Sequence, residues 1–136
     1  MGFLSKLTGR SRRRVPPYDL YAADAEQLAA LAARGADVGA PRESEFFLSF
    51  TSEPRARAAA DELRSARVTH EFVEPSHDIP EWMIFVRGFR KPLVPDFLRE
   101  TIDLCEDLVA RHGGEYDGWA GLLTDEEKGP DSESIV

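Results

Sequence analysis

The most strongly specified stretch of the chain lies near its C-terminal end and reads Gly113-Gly114-Glu115-Tyr116-Asp117-Gly118-Trp119. It combines three glycines, two large aromatic residues and two acids within seven positions. A glycine pair after a helix readily adopts the positive φ that ends the helix, and an internal glycine is typical of a bent strand. The stretch therefore predicts a junction between a helix and a last strand at about residues 115–123.

The segment before this junction has the apolar spacing of an amphipathic helix. Its apolar residues recur three and four positions apart, at Phe97, Leu98, Ile102, Cys105, Leu108 and Val109. This pattern predicts a helix that begins near Pro95, ends before Gly113 and packs one face on a core. Because Cys105 is the only cysteine and lies within that face, we expect a buried, unreactive thiol and no internal disulfide.

Two further helices are predicted upstream. Asp24 can act as the N-cap of a helix that runs to about Arg34. Ser52 is a natural N-cap and Pro54 suits a first turn, so a second helix is expected to run to about Arg67.

Three strands are predicted between these helices, at residues 45–50, 68–73 and 82–87. In the first strand Phe46, Leu48 and Phe50 share one face, while Phe47 points to the other. The run from Trp82 to Arg87 is almost continuously apolar, which is typical of a central strand.

The order of these elements indicates the fold class. Apart from the first helix it is β-α-β-β-α-β, so we predict an α+β protein: a ferredoxin-like βαββαβ sandwich with an additional N-terminal helix and a four-stranded antiparallel sheet. Right-handed crossovers place both later helices on one side of the sheet. Three candidates remain to cover the other side: the first helix, a second copy of the chain, or a protein partner. Phe47 and Trp82 are the aromatic candidates for that side.

The charge distribution divides the 136 residues into one domain and two tails. Residues 1–16 are predicted to form a disordered basic arm, 17–123 the domain, and 124–136 a disordered acidic tail. The domain carries a net negative charge and would repel phosphate backbones, so we do not expect it to bind nucleic acid directly. The candidates for contact with RNA phosphates or an anionic membrane surface are the basic residues of the arm, Lys6, Arg10, Arg12, Arg13 and Arg14.

The search for catalytic and metal-binding patterns predicts none. His70, His77 and His112 are scattered and lack the spacing that gathers metal ligands. Glu53 and Pro54 make the loop before the second helix a poor phosphate cradle. The segment Arg87-Gly88-Phe89 resembles the base-stacking motif of RNA-recognition modules over three residues only, because Arg90-Lys91-Pro92 is expected to end that strand. We therefore predict no catalytic residue, no metal and no cofactor.

We also expect no membrane span and no signal peptide. No apolar run approaches the ~20 residues of a membrane span, and the first seven residues have the wrong order of charged and apolar residues for a signal peptide. A cytoplasmic protein is expected.

The stretch from Gly113 to Trp119 resembles the end of the ribonuclease E inhibitor family called regulator of ribonuclease activity B (RraB). Gly35-Ala36-Asp37 and Pro41-Arg42 are similar to that family's loop after the first helix and to the lead into its first strand. The resemblance covers about residues 22–123. It implies a ferredoxin-like, noncatalytic cytoplasmic protein, whose characterised relatives bind the endoribonuclease and restrain its RNA decay activity.

Together with this resemblance, the sequence favours a noncatalytic regulatory protein that binds a protein partner, which the resemblance implies is an RNase E-type endoribonuclease. The candidate partner contacts are Tyr116, Asp117, Trp119, Phe47 and Trp82. Tyr116 and Trp119 have an alternative role, which is to close the edge of the core. Two alternative functions stay open: a small-molecule-sensing domain that uses the uncovered sheet face, and an RNA-binding module that uses the basic arm.

Overall fold

The structure is a computed structural model that describes residues 14–15, 20–124 and 127. Its elements in chain order are β1 (Arg14–Val15), β2 (Leu20–Tyr21), α1 (Ala22–Ala33), β3 (Arg42–Phe50), α2 (Glu53–Ser65), β4 (His70–Val73), β5 (Trp82–Lys91), α3 (Pro95–His112) and β6 (Glu115–Gly121). The predicted mixed α+β chain with an antiparallel sheet is confirmed. The predicted basic arm and acidic tail fall almost entirely outside the described residues and stay predictions.

The main sheet has the strand order β4-β5-β3-β6, and every neighbouring pair is antiparallel. The small strands β1 and β2 pair with each other in a separate ladder. β3 is flanked on both sides, because it pairs with β5 and with the last strand, β6. Residues far apart in the sequence are therefore neighbours in the sheet.

The helices α2 and α3 start where the sequence predicts, α3 also ends there, and α2 ends at Ser65, two residues before the predicted end. Ser52 caps α2, since its Oγ accepts a hydrogen bond from the backbone N–H of Arg55 at 3.4 Å. α3 begins at Pro95 and ends at Gly113, whose φ of 72° is left-handed. The N–H of Gly114 then donates to the carbonyl of Val109 at 2.9 Å, which closes the helix end.

The start of α1 differs from the prediction. The helix begins directly after β2, and Tyr21 occupies the N-cap position without a side-chain hydrogen bond. Asp24 lies inside the first turn, is buried, and accepts a hydrogen bond from Tyr116 instead of capping the helix. The predicted N-cap is therefore wrong, because burial of Leu20 and the β1–β2 pairing set the start of this helix.

β5 is longer than predicted and does not end at Arg87. It continues to Lys91 through an irregularity in its pairing with β3, where Arg90 has a φ of 55°. A bulge of this kind lets a strand continue past residues that break the regular ladder.

All three helices among the described residues pack on the same side of the sheet. Phe46, Leu48 and Phe50 point to that side and are at most 1% exposed. They share one apolar cluster with the buried faces of the helices, namely Leu28, Leu31, Ala56, Ala59, Ala60, Leu63, Leu98, Ile102, Cys105, Leu108 and Val109. α1 contacts β6 and so widens the helix layer, which means that it does not cover the other side of the sheet.

Candidate functional site

The side of the sheet that faces away from the helices is the candidate functional site. Cross-strand neighbours share a face, so the pairing of Phe47 with Phe85 and of Ser49 with Met83 identifies the residues on this side. We call this surface the open face and define it by Glu45, Phe47, Ser49, Glu71, Val73, Met83, Phe85, Arg87, Glu115 and Ala120. None of them belongs to the helix-side cluster of the described residues.

The centre of the open face is apolar and aromatic. The rings of Phe47 and Phe85 meet edge to face, with centroids 5.3 Å apart and an interplanar angle of 85°. Both side chains are half-buried, and Met83 beside them is 6% exposed. Such an aromatic pair on the face of a sheet offers the apolar contact area that protein interfaces use.

The rim of the open face is negative. Arg87 Nη1 lies 2.8 Å from Glu45 Oε2, and Arg87 Nη2 also donates to Glu71. The single arginine of the open face is therefore shared between two carboxylates. Glu115, which pairs with Ser49 across the sheet, adds a third carboxylate, so the open face as defined carries a net negative charge.

Of the five predicted partner contacts, Phe47 lies at the centre of the open face, but Trp82 does not. Trp82 pairs with Phe50, which points to the helices, so its ring lies on the helix side. There it packs on Phe72, with centroids 5.7 Å apart, and under the guanidinium of Arg57. The expected position of Trp82 on the uncovered side is wrong, because its place in the β3–β5 register gives it the same orientation as Phe50.

Tyr116 and Trp119 also lie on the helix side. Trp119 is 4% exposed and stacks on Phe46 with centroids 6.2 Å apart. Tyr116 is 6% exposed, and its hydroxyl donates to Asp24 Oδ1 at 3.0 Å. Asp117 is half-buried at the irregularity of the β3–β6 pairing, next to Gly118 with its φ of 115°. The structure therefore does not bring these rings together with Phe47.

Asp24 and Tyr116 form a buried polar pair between α1 and β6. Burial raises the pKa of Asp24 to about 6, although the hydrogen bond from Tyr116 acts in the opposite direction. Burial likewise raises the pKa of Tyr116, and the negative charge of Asp24 adds to that effect. The phenol thus stays protonated and keeps donating to the carboxylate.

A second polar site links Arg42, at the start of β3, to Glu127. The guanidinium of Arg42 is completely buried and binds both carboxylate oxygens of Glu127, at 2.6 and 2.7 Å. Hydrogen bonding to Arg42 lowers the pKa of Glu127 to about 2. The sequence analysis missed this pair. The predicted strand began at residue 45 and left Arg42 outside it, whereas in the structure β3 begins at Arg42, whose buried side chain needs a counter-charge.

Of the five candidate residues in the basic arm, the structure describes one, Arg14. Its guanidinium pairs with Asp103 of α3 and lies 4.8 Å from the centroid of the Tyr21 ring. Lys6, Arg10, Arg12 and Arg13 lie outside the described residues.

The described histidines have structural contacts or are exposed. His70 Nδ1 lies 2.8 Å from the carbonyl of Val68, His112 Nε2 lies 2.9 Å from Glu62 Oε1, and His77 is exposed. Across the part of the chain that the structure describes, no three His, Cys, Asp or Glu side chains are grouped as metal ligands. Cys105 is buried as predicted, and burial raises the pKa of its thiol to about 12.

None of the described helices is long and apolar enough to span a membrane.

Among curated proteins, none matches the chain. A family model does match: residues 22–120, from the start of α1 to the end of β6, fit the model of RraB, Regulator of ribonuclease activity B. The chain therefore belongs to the RraB family, in agreement with the resemblance carried by the stretch from Gly113 to Trp119.

Proposed function

We propose that the protein is a noncatalytic regulator that binds an RNase E-type endoribonuclease and modulates RNA decay. Membership of a family described as a regulator of ribonuclease activity supports the type of function. The observation that carries the binding role is the open face, an uncovered sheet surface with an aromatic centre and a negative rim.

The chemistry of the open face suits a basic polypeptide segment. A fully packed apolar centre supplies most of the binding energy in protein interfaces, and Phe47 and Phe85 would supply it here. The surrounding carboxylates would steer a positively charged partner towards the surface and would oppose an RNA backbone. A protein ligand is thus a better match than a nucleic acid.

Pull-down of the endoribonuclease and RNA cleavage with and without the protein test this function. Phe47→Ala combined with Phe85→Ala should weaken binding at least about tenfold, which is the effect of losing one strong contact. Leu104→Ala is the matched control, because Leu104 is 41% exposed on α3 in the helix layer, and it should leave the affinity within about twofold.

Two results would contradict the proposal in different ways. If the wild-type protein neither binds the nuclease nor changes its cleavage rate, the regulatory function is wrong. If the double alanine variant folds and binds as tightly as the wild type, the open face is not the contact surface. Sedimentation of the wild type and of the same variant shows whether a second copy of the chain occupies the face instead.

We further propose that the domain is ferredoxin-like and acts in the cytoplasm. The strand order β4-β5-β3-β6, with α2 and α3 on one side as crossover connections, supports the ferredoxin-like assignment. Fractionation of cells that express the protein, followed by detection with an antibody, tests the location.

A further inference from the structure

Arg42 lies at the centre of a set of hydrogen-bond donors that all point to one carboxylate. Its Nη1 and Nη2 donate to Glu127 Oε1 and Oε2 at 2.6 and 2.7 Å. The backbone N–H of Asp37 donates to Glu127 Oε2 at 2.6 Å, and that of Thr124 donates to Oε1 at 3.1 Å. Each carboxylate oxygen therefore accepts one bond from the guanidinium and one from the backbone.

The guanidinium of Arg42 is held in place by further contacts within the domain. Arg42 Nη1 also donates to the carbonyl of Leu122 at 3.2 Å, and Nη2 donates to the carbonyl of Asp37. The side chain of Arg42 has no exposed surface, and that of Glu127 is 11% exposed. A buried guanidinium without a counter-charge would be strongly unfavourable, so the position demands an anion.

The geometry of the donors selects a particular class of anion. Two parallel N–H groups of an arginine match the two oxygens of a carboxylate, and one backbone N–H donates to each oxygen. A single spherical ion such as chloride cannot accept all four bonds in this arrangement.

We propose that Arg42 and the backbone amides of Asp37 and Thr124 form a carboxylate-binding site. Its resident ligand is Glu127 of the chain's own acidic C-terminal segment, and the occupied site fastens that segment to the domain. Glu127 is the occupant because the four donors all end on its two oxygens. This inference stands apart from the proposed binding of a ribonuclease.

Chemical rescue in the full chain tests the site. Glu127→Ala should lower the Tm, and sodium acetate should raise the Tm of this variant by about 2 °C or more relative to sodium chloride at the same ionic strength. The amide resonances of Asp37 and Thr124 should shift with acetate in the same concentration range. The wild type, whose site is filled, should show neither response.

Glu126→Ala is the matched control, since it removes the same charge from the adjacent position. This variant should have the wild-type Tm, and acetate should not raise that Tm relative to chloride. The proposal is wrong if Glu127→Ala has the wild-type Tm and no acetate-specific shift, or if both alanine variants respond equally to acetate.

Trypsin cleavage after Lys128 provides a readout that does not depend on global stability. Glu127→Gln keeps the side-chain shape but removes the charge, so the segment should be released more often and cleaved at least about threefold faster than in the wild type. Equal cleavage rates in wild type and Glu127→Gln would show that the site does not fasten the segment.

Discussion

At the scale of single residues, Asp24 joins the first helix to the last strand through one buried carboxylate. It is 4% exposed, and its Oδ1 accepts a hydrogen bond from the hydroxyl of Tyr116 at 3.0 Å. The nearby negative charge of Glu106 raises its pKa further, whereas the positive charge of Arg14 lowers it. Burial prevails among these effects, so the folded protein binds the proton of Asp24 more tightly than the unfolded chain does.

The raised pKa makes the stability contribution of Asp24 dependent on pH. Its pKa is about 6 in the folded protein and near 3.8 when unperturbed, so the folded state binds a proton more tightly than the unfolded state. The contribution is therefore fully present below about pH 4 and is lost as the pH rises through 6, by about 2–3 kcal/mol in the free energy of unfolding.

Asp24→Asn should abolish this fall in the free energy of unfolding with rising pH, because an amide does not titrate in this range. The amide oxygen can still accept from Tyr116, so we expect the variant to be at least as stable as the wild type at pH 8. Urea unfolding of both proteins between pH 4 and pH 8 is the measurement. A wild-type curve with the same slope as that of the variant over this range would contradict the expected titration.

At the scale of elements, the junction between α3 and β6 rests on close backbone packing as well as on helix termination. A Cβ atom on Gly114 would lie 2.8 Å from the carbonyl oxygen of Ser49 and against the ring of Phe50. The ring is 1% exposed and the carbonyl is part of β3, so neither can move away cheaply. Position 114 therefore requires glycine, because the packing leaves no room for a Cβ atom there.

Gly114→Ala should destabilise the protein by about 1–3 kcal/mol, the usual cost of overpacking a core. Gly39→Ala serves as the control, because its nearest contact would be Asp37 Oδ1 at an ordinary 3.4 Å. Thermal unfolding should show a lower Tm for Gly114→Ala and a change corresponding to less than about 0.5 kcal/mol for Gly39→Ala. If Gly114→Ala has the same Tm as the wild type, β3 and the α3–β6 junction can move apart to admit the methyl group without a loss of stability.

Local signals explain which elements could be predicted. The apolar spacing of α3 and the cap at Ser52 act within a few residues, so the sequence alone indicated both. The start of α1 could not be predicted in this way, because the burial of Leu20, the β1–β2 pairing and the hydrogen bond between Asp24 and the distant Tyr116 are all tertiary features. The side on which Trp82 lies depends on its pairing with Phe50, and a strand pattern alone does not fix that register.

At the scale of the whole molecule, the helices lie on one side of the sheet and the negative open face on the other. The sequence indicated Phe47 on this side, but it gave no signal that Arg87 would be shared between Glu45 and Glu71. The contact of Arg42 with Glu127 joins residues 85 positions apart, and no sequence pattern indicated it either. Long-range charge pairing of this kind depends on the finished fold.

If a basic partner docks on the open face, charge reversal there should slow its association. Glu115→Lys should lower the association rate about three- to tenfold at low salt, because it weakens the field that steers the partner. Glu26→Lys makes the same charge change at an exposed position of α1 in the helix layer and is the control. Stopped-flow or surface-based kinetics at two salt concentrations would measure the difference.

The difference between the two lysine variants should shrink at high ionic strength, where the field is screened. Equal rates for both variants at low salt would contradict steering by the open face.

The place of β3 between β5 and β6 also has a consequence for biosynthesis. β3 needs the last strand on one flank, and Trp119 and Tyr116 complete the packing around Phe46 and Leu48. A nascent chain that still lacks residues 115–121 therefore leaves an apolar strand edge without its neighbour. We expect ribosome-bound chains arrested before Glu115 to be digested readily by protease and chains in which β6 has left the ribosome to resist it, so this domain should mature only once β6 has emerged.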